Sequence, residues 1–343
     1  MKQISELRQD IVTGDWVVVA TGRAKRPNQF ARREAQERPQ SKANCPFERL
    51  LETALLVYDR QGRGFKLATK NRLYLKKNWW MQIVPNKFPA FGRGTCSLER
   101  KEGPYLWQDG VGFHEVVVTR HHTRAIAGMS RDEVAVIFRA YRDRCLKLKN
   151  EDCVEYVSVF HNSGHDAGAT VSHPHSQIIA IPVIPPDISR SLRGSAEYFR
   201  RKKRCVHCAM LDFEKRDKRR IIYANRDFIA YCPFVSRQAF EVRIFPLRHQ
   251  PEFESITESE ISSAADALRT ILARIYCGLK NPAYNFFIHT APASDGARAN
   301  HYHWHIEILP KTAIWAGFEI GTGIEIAAIS PEAAANFLRA IEA

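Results

Sequence analysis

Two stretches of the sequence follow one pattern: FHEVVVTRHHTRAIAGMSRDE at residues 113–133 and FEVRIFPLRHQPEFESITESE at residues 240–260. In each, a strand-like apolar run leads to a histidine, His122 or His249, and a hydroxyl residue follows eight positions later. That hydroxyl opens a capping box, which satisfies the free amides of a helix start. The two boxes are Ser130-x-x-Glu133 and Thr257-x-x-Glu260. Apolar residues then recur at helical spacing, so both stretches predict a strand followed by an amphipathic helix.

The repeat continues through two further strands in each half. The first strand, YVSVFH or YNFFIH, ends at His161 or His289, and the second carries alternating histidines in SHPHSQII or YHWHIEIL. A unit that recurs in the same order indicates an internal duplication. We therefore expect an α+β fold of two tandem modules, each an antiparallel sheet with a flanking helix. Residues 1–194 would form the first domain and residues 195–343 the second.

The composition excludes several classes of protein. The chain has 343 residues, of which 45% are hydrophobic and 26% charged, so it is neither disordered nor collagen-like. No run approaches the roughly 18 apolar residues of a membrane span, and we expect no secretory signal. The eight cysteines are sparse. In a reducing compartment, which we take to be the cytoplasm, clustered cysteines are expected to be metal ligands or redox groups before disulfides.

The charge of the chain leaves a second class of function open. The net charge is +14, and residues 190–220 hold twelve Lys or Arg against four Asp or Glu. Such a segment is either a solvated connector or a surface for nucleic acid, anionic membrane or phosphorylated substrates. A zinc-containing module that binds nucleic acid is one alternative, but the aromatic and basic repeat of a single-strand platform is absent from the sequence. We expect neither a nucleic-acid nor a membrane partner.

The segment His173-Pro174-His175-Ser176-Gln177 is the strongest candidate for chemistry. Alternate residues of a strand share a face, so two imidazoles and an amide would point the same way. Pro174 favours a strand start or an edge. This face could be merely polar, could hold a metal with both imidazoles, or could use one imidazole as nucleophile or base. The preceding loop, residues 162–170, has small residues that let backbone N–H groups approach a phosphate.

Cysteines and histidines also have metal-ligand spacing. Cys205 and Cys208 form a CxxC pair, for which His249 and His303 are natural partners in a tetrahedral zinc site. A thioredoxin-like pair is less suitable because no βαβ pattern surrounds it. The equivalent residues of the first half are Cys45, Glu48, His122 and His173, with a carboxylate in place of the second thiol. A further basic cluster, Arg23-Ala24-Lys25-Arg26, suits phosphate or is a solvated loop.

Taken together and in order, these motifs resemble the galactose-1-phosphate uridylyltransferase family, the transferase branch of the histidine-triad superfamily. The matching pieces are ELRQDIVTGDWVVVATGRAKRP from Glu6, CPFE from Cys45, VPNKFPAF from Val84, HEVVV before His122, NSGHDAGATVSHPHSQ from Asn162, and YHWHIEILP and AGFEIGTG between Tyr302 and Gly323. The resemblance covers nearly the whole chain. It implies two histidine-triad-like modules, with the catalytic strand in the first and the CxxC site in the second.

The resemblance also implies roles for single residues. His175 matches the nucleophile that attacks the α-phosphorus of a nucleotide sugar, and Gln177 matches the amide that supports the phosphoryl group. The substrate-binding residues implied are Arg23 and Arg26 near the phosphates, Asn86 and Phe88 near the nucleoside, Asn162, Gly168 and Thr170 in the phosphate loop, and Phe318 and Glu319 on the hexose-phosphate side. The implied reaction is ping-pong uridylyl transfer from UDP-glucose to a hexose 1-phosphate, galactose 1-phosphate, in galactose metabolism.

Two other reactions stay open within the superfamily. In a hydrolase, water would discharge the intermediate, but such enzymes usually place a third histidine at the position of Gln177. In ADP-glucose phosphorylase, phosphate accepts an adenylyl group, and AGFEIGTG also resembles that branch.

The resemblance bears on metals and assembly as well. Some family members bind iron through a Glu and three histidines of the second half, for which His289, His303 and His305 are available here. The Glu position falls on Ser191, however, and His303 cannot readily serve two metals. The CxxC cluster instead matches the second zinc site of the plant-type relatives. We therefore expect two structural zinc ions, rather than zinc and iron, and a homodimer.

Overall fold

The computed structural model describes residues 5–22, 41–67, 71–97, 99–295 and 299–342. In this part of the chain, strands β1 to β16 are Glu6–Gln9, Trp16–Val19, Leu56–Asp59, Gly64–Phe65, Trp79–Pro85, Arg100–Glu102, Tyr105–Trp107, Phe113–Thr119, Tyr156–Ser163, His175–Ile181, Ile221–Ala224, Phe228–Tyr231, Val242–Pro246, Tyr284–His289, His305–Pro310 and Glu325–Ala327. Helices α1 to α7 are Arg72–Asn78, Arg131–Leu148, Pro186–Lys202, Val206–Asp217, Glu258–Gly278, Gly317–Thr322 and Pro331–Arg339.

Eleven of these strands form one antiparallel sheet. Its order is β11-β12-β13-β15-β14-β9-β10-β8-β5-β3-β4, so β9 and β14 join the strands of the two halves at the centre. Phe286 lies opposite His161 and Asn285 opposite Asn162 across this seam. A small sheet, β1-β2-β16, and a hairpin, β6-β7, lie outside the main sheet. The predicted α+β class is confirmed as a mixed fold with a large antiparallel sheet.

The two long helices begin where the capping boxes predict. Helix α2 follows Ser130 and α5 follows Thr257, and in both the hydroxyl accepts from the N3 amide while the N3 glutamate accepts from the cap amide. The two helices pack together and bury their apolar faces in one core with the main sheet. On the opposite face, β10 carries His175 and Gln177, while β8 and β12 contribute to two separate apolar clusters.

Two details of the strands differ from the sequence analysis. First, β10 starts at His175, directly after Pro174, so His173 lies before the strand and does not share its face. Second, the repeat matches His161 to His289, but the strand register differs by one residue. Ser176 pairs with His161, so the residue opposite His175 is Asn162, whereas the residue opposite His305 is His289. A one-residue slip reverses the face of a strand, so His161 points to the helices and His289 does not.

Three further observations concern helix α3, a disulfide and membrane spans. Helix α3 runs through residues 194 and 195, where the sequence analysis divides the chain, and the division into two domains stays a prediction. Cys96 and Cys153 form a disulfide, which the expectation of reduced cysteines did not include. Within the described ranges, no helix is both long and apolar enough to cross a membrane.

Candidate active site

The candidate site lies on the face of strand β10 that points away from helices α2 and α5. Ile178 and Ala180 are buried in the core, so the alternate residues His175 and Gln177 point to the other face. On neighbouring β9, Asn162 lies beside His175 in the same way. The structure therefore brings together the predicted nucleophile, the predicted supporting amide and the first residue of the predicted phosphate loop.

His175 is a neutral imidazole, and a hydrogen bond holds one of its two ring nitrogens. Its Nδ1 donates to the carbonyl oxygen of His173 at 2.9 Å, which leaves the lone pair on Nε2. The ring packs against Phe47, with ring centroids 5.4 Å apart. Burial lowers the pKa of His175 below its ordinary value. An unprotonated, oriented Nε2 is what a nucleophilic imidazole needs.

The loop after β9 turns sharply beside this imidazole. Gly164 and Gly168 both have a φ of 84°, which side chains other than glycine rarely adopt. Asn162 is fixed from the second half, since Asn285 Nδ2 donates to its Oδ1 at 2.8 Å and to the carbonyl of Ala167 at 2.8 Å. Thr170 is exposed at the end of the loop. The sequence analysis missed Asn285, because its place depends on the pairing of β9 with β14.

Gln177 belongs to a chain of polar contacts that leads to the segment after β5. Its Oε1 lies 2.7 Å from Nε2 of His114, and His114 Nδ1 lies 3.1 Å from the amide nitrogen of Ala90. Asn86 is part of the same segment, and its Oδ1 accepts from the Phe88 amide at 2.9 Å. The side chain of Phe88 itself is 81% exposed. Sequence reasoning missed His114, although the HEVVV motif contains it.

The first predicted group of metal ligands converges beside the start of strand β10. Cys45, Glu48, His122 and His173 each offer a ligand atom within 4.8 Å of the others. The His173 Nε2 donates to the Thr119 carbonyl at 2.6 Å, which leaves Nδ1 free to coordinate, 3.5 Å from Cys45 Sγ. Such a bond to the second nitrogen is what orients histidine ligands of metals. The donor set of one thiol, one carboxylate and two imidazoles fits zinc.

The second predicted group converges equally well. Cys205, Cys208, His249 and His303 also lie within 4.8 Å of one another by their ligand atoms. Cys208 Sγ lies 3.3 Å from His249 Nδ1 and 3.6 Å from His303 Nδ1. Two thiols and two imidazoles form the donor set of structural zinc. This set includes His303, so the histidines left for an iron site are His289 and His305.

Those two histidines face a buried charge network centred on Glu307. Glu307 Oε2 accepts from His289 Nε2 at 2.9 Å, and its Oε1 accepts from Arg237 at 2.8 Å and Arg243 at 3.3 Å. Burial favours the neutral carboxyl, but the two guanidinium groups outweigh it and hold the pKa of Glu307 well below its usual range. The Glu307 carboxylate and the two histidines nevertheless offer ligand atoms within 4.8 Å of one another, so these three residues form a further candidate metal group, and the preference for zinc over iron stays a prediction.

Two predicted substrate residues lie on another element, and two more fall outside the part of the chain that the structure describes. Arg23 and Arg26 lie outside the described residues. Phe318 and Glu319 lie on α6, which contacts β16 of the small sheet. Glu319 accepts a hydrogen bond from the Ala316 amide at 3.0 Å, and Phe318 is 49% exposed. Among the described residues, neither Phe318 nor Glu319 has a contact with His175. That these two residues bind the hexose phosphate therefore stays a prediction.

Comparison with known proteins gives a consistent result. The family model for galactose-1-phosphate uridyl transferase, N-terminal domain, matches residues 1–185, and a domain of unknown function, DUF4921, matches residues 110–340. The chain is 31% identical to ADP-glucose phosphorylase of Arabidopsis thaliana over 99% of this chain and 93% of that one. It is 27% identical to galactose-1-phosphate uridylyltransferase of Thermotoga maritima over 98% of both.

A solved structure agrees with these relatives. The crystal structure of an ADP-glucose phosphorylase from Arabidopsis thaliana with bound ADP-glucose superimposes with a TM-score of 0.80 at 29% identity, covering 99% of this chain and all of that one. The family model spans more than half of the present chain. The chain therefore belongs to the galactose-1-phosphate uridylyltransferase family.

Proposed function

We propose that this protein is a nucleotidyltransferase that moves a nucleotidyl group between hexose 1-phosphates through His175. The observation that carries the proposal is the state of His175: Nδ1 is held by the His173 carbonyl, and the lowered pKa keeps Nε2 unprotonated. Beside it lie an amide, Gln177, and the glycine-containing loop from Asn162 to Thr170. These groups suit a phosphoryl group more than any other substrate fragment.

The proposed reaction has two balanced steps. In the first, Nε2 of His175 forms a bond to the α-phosphorus of the nucleotide sugar, and the bond from that phosphorus to the oxygen of the departing hexose 1-phosphate breaks. In the second, an oxygen of the incoming phosphorylated sugar attacks the same phosphorus and His175 leaves. The chain contributes mainly by positioning and by donors aimed at the phosphoryl oxygens.

UDP-glucose and galactose 1-phosphate are the donor and acceptor that we propose first. A second candidate is phosphorolysis of ADP-glucose, in which inorganic phosphate is the acceptor. The observation that favours this second candidate is the similarity to the Arabidopsis phosphorylase, at 31% identity and over 99% of this chain. Hydrolysis is less suitable because the position that would carry a third histidine is Gln177.

The experiment that tests the proposal is intact-protein mass spectrometry after a short incubation with UDP-glucose, and separately with ADP-glucose, without acceptor. We expect a uridylyl adduct that galactose 1-phosphate discharges. An adenylyl adduct that phosphate discharges would instead assign the second candidate. The His175→Ala variant is the control and should form no adduct. If the folded wild-type protein forms no adduct with either donor, covalent transfer through His175 is wrong.

We also propose that the two cysteine-containing clusters hold structural zinc. Bound zinc would supply tetrahedral cross-links and no catalytic step, because its four ligands leave no open position. Chelation should lower the melting temperature by about 5 °C or more. Elemental analysis of the wild type should give two zinc ions per chain, and the double variant C205S/C208S should lose one of them. Two zinc ions retained in that variant would contradict the second site.

The wider organisation is proposed on the same basis. We infer two histidine-triad-like modules, residues 1–194 and 195–343. Both halves have the order strand, helix, strand, strand, and in both the second histidine of an HxH motif donates from Nδ1 to the carbonyl of the first, at 2.9 Å for His175 and 3.1 Å for His305. A homodimer in the cytoplasm, with nucleotide sugar and hexose 1-phosphate as its partners, completes the proposal.

A further inference from the structure

We infer that His114 is a positioning residue that determines which end of the Gln177 amide faces the substrate. The inference rests on the proposed function of the site. His114 lies on β8, next to the catalytic strand, and is paired with Ile179, while Gln177 is paired with Val116. His114 and Gln177 are thus diagonal neighbours on the same face of the sheet. The ring of His114 is half-buried between Gln177 and the segment that follows β5.

The backbone of that segment fixes the tautomer of His114. The amide nitrogen of Ala90 lies 3.1 Å from Nδ1 and can only donate, so Nδ1 is the unprotonated nitrogen. A neutral imidazole then carries its proton on Nε2. The orientation of the Asn86 amide is fixed in the same way, because its Oδ1 accepts from the backbone N–H of Phe88 at 2.9 Å.

The protonated nitrogen of His114 in turn fixes Gln177. Nε2 lies 2.7 Å from Gln177 Oε1, so the imidazole donates and the amide oxygen accepts. The Asn86 Nδ2 also lies 3.0 Å from this nitrogen, but both atoms are donors and the approach adds no hydrogen bond. Because its oxygen is taken, the Gln177 amide is left with its NH₂ group for the substrate.

This orientation has a chemical consequence. An NH₂ group offers two donors and no acceptor, so Gln177 would recognise an anionic phosphoryl oxygen and would not accept a hydrogen bond from a sugar hydroxyl. Without the His114 donor, the amide could rotate and present its oxygen to the phosphoryl group, which is repulsive. The single imidazole therefore links the segment of Asn86 and Phe88 to the support of the reacting phosphorus.

Two substitutions of His114 separate this role from simple packing. The amide nitrogen of Gln reaches about as far as the imidazole Nε2, whereas Asn reaches only as far as Nδ1. We expect His114→Gln to keep most of the rate of adduct formation and His114→Asn to lower it about 10- to 100-fold, somewhat less than loss of a direct donor to the developing charge. The KM for the nucleotide sugar should change little in either variant.

A double-mutant cycle tests whether His114 acts through Gln177. If it does, His114→Asn should have no further effect in a Gln177→Ala background, because the amide that it orients is gone. Equal effects of His114→Asn with and without Gln177 would overturn the inference, as would a His114→Gln variant that is as slow as His114→Asn. Melting temperatures of all variants identify any that fail to fold.

A measurement without substrate keeps the inference separate from the proposed function. Nitrogen NMR of the protein labelled with ¹⁵N-histidine reports the tautomer of each ring, and His114→Gln assigns the signal. We expect His114 to be protonated on Nε2 only. A proton on Nδ1 would overturn the inference. The Nε2 tautomer in a protein that forms no adduct would mean instead that the proposed reaction fails while the His114–Gln177 contact stands.

Discussion

His161 shows how adjacent residues of one strand serve the core and the site. Its ring lies against Tyr284 and Phe286, with centroids 5.9 and 5.1 Å away, and its Nδ1 is 3.0 Å from the Ser176 hydroxyl. The next residue, Asn162, faces His175 on the other side of the sheet. Burial, with a smaller contribution from His175, lowers the pKa of His161 to about 3. A neutral imidazole is therefore part of the core beneath the site.

We expect His161→Phe to remove part of the acid sensitivity of folding. The unfolded chain binds a proton at this histidine below about pH 6.5, whereas the folded chain does so only near pH 3. The group therefore destabilises the folded state as the pH falls from 6.5 towards 3, by about 2 kcal/mol between pH 6.5 and 5. Urea unfolding of both proteins at these two pH values measures the difference. The same loss in both would show that His161 is not its source.

At the scale of elements, β8 is attached to α2 by a buried ion pair. Glu115 on β8 and Arg144 on α2 are 2% and 7% exposed. Arg144 Nε donates to Glu115 Oε2 at 2.7 Å, and its Nη2 donates to Oε1. Glu115 follows His114 directly, so the two side chains point to opposite faces of β8. The ion pair therefore attaches β8 to α2 on one face, while His114 lies on the other face. The geometry of Gln177 therefore depends on the packing of a helix on the far side of the sheet.

Removal of one partner of this ion pair should destabilise the folded protein. Arg144→Met leaves the Glu115 carboxylate buried without its cation, and we expect a loss of about 3–5 kcal/mol in the free energy of unfolding. The double variant E115L/R144M buries no charge and should lose much less. Urea denaturation at pH 7 compares the two variants with the wild type. A double variant as unstable as the single one would mean that packing, and not the unpaired charge, accounts for the loss.

For the whole molecule, the sequence predicts what is local and not what joins the halves. The capping boxes could be predicted because they are local, and the zinc-ligand groups because cysteine and histidine are the residue types that zinc prefers. The pairing of β9 with β14 could not, because an alternating apolar pattern suits a central strand as well as an edge strand. Asn285 therefore escaped notice, although it holds Asn162 in the candidate site. The role of His114 likewise depends on the register between β8 and β10.

Assembly also depends on contacts that are distant in sequence, and the described surface offers a candidate segment for it. Residues 314–320 expose Ile314, Trp315, Phe318 and Ile320 by 71%, 42%, 49% and 74%. Neighbouring exposed apolar side chains of this kind mark interaction sites. A second copy of the chain would cover them in the proposed homodimer, and it would also explain why Phe318 lies on the surface in a single chain.

We expect the double variant I314D/I320D to dissociate that dimer, because each substitution would bury an unpaired carboxylate in the interface. The dissociation constant should rise at least about 30-fold, as for loss of a 2 kcal/mol contact. Leu73→Asp is the matched control, since Leu73 is 81% exposed on α1, which contacts β3 and β5, whereas α6 of this segment contacts β16. Sedimentation velocity over a range of concentrations measures the change. A wild-type monomer would contradict the homodimer itself, whereas a variant that stays dimeric would place the interface elsewhere on the surface.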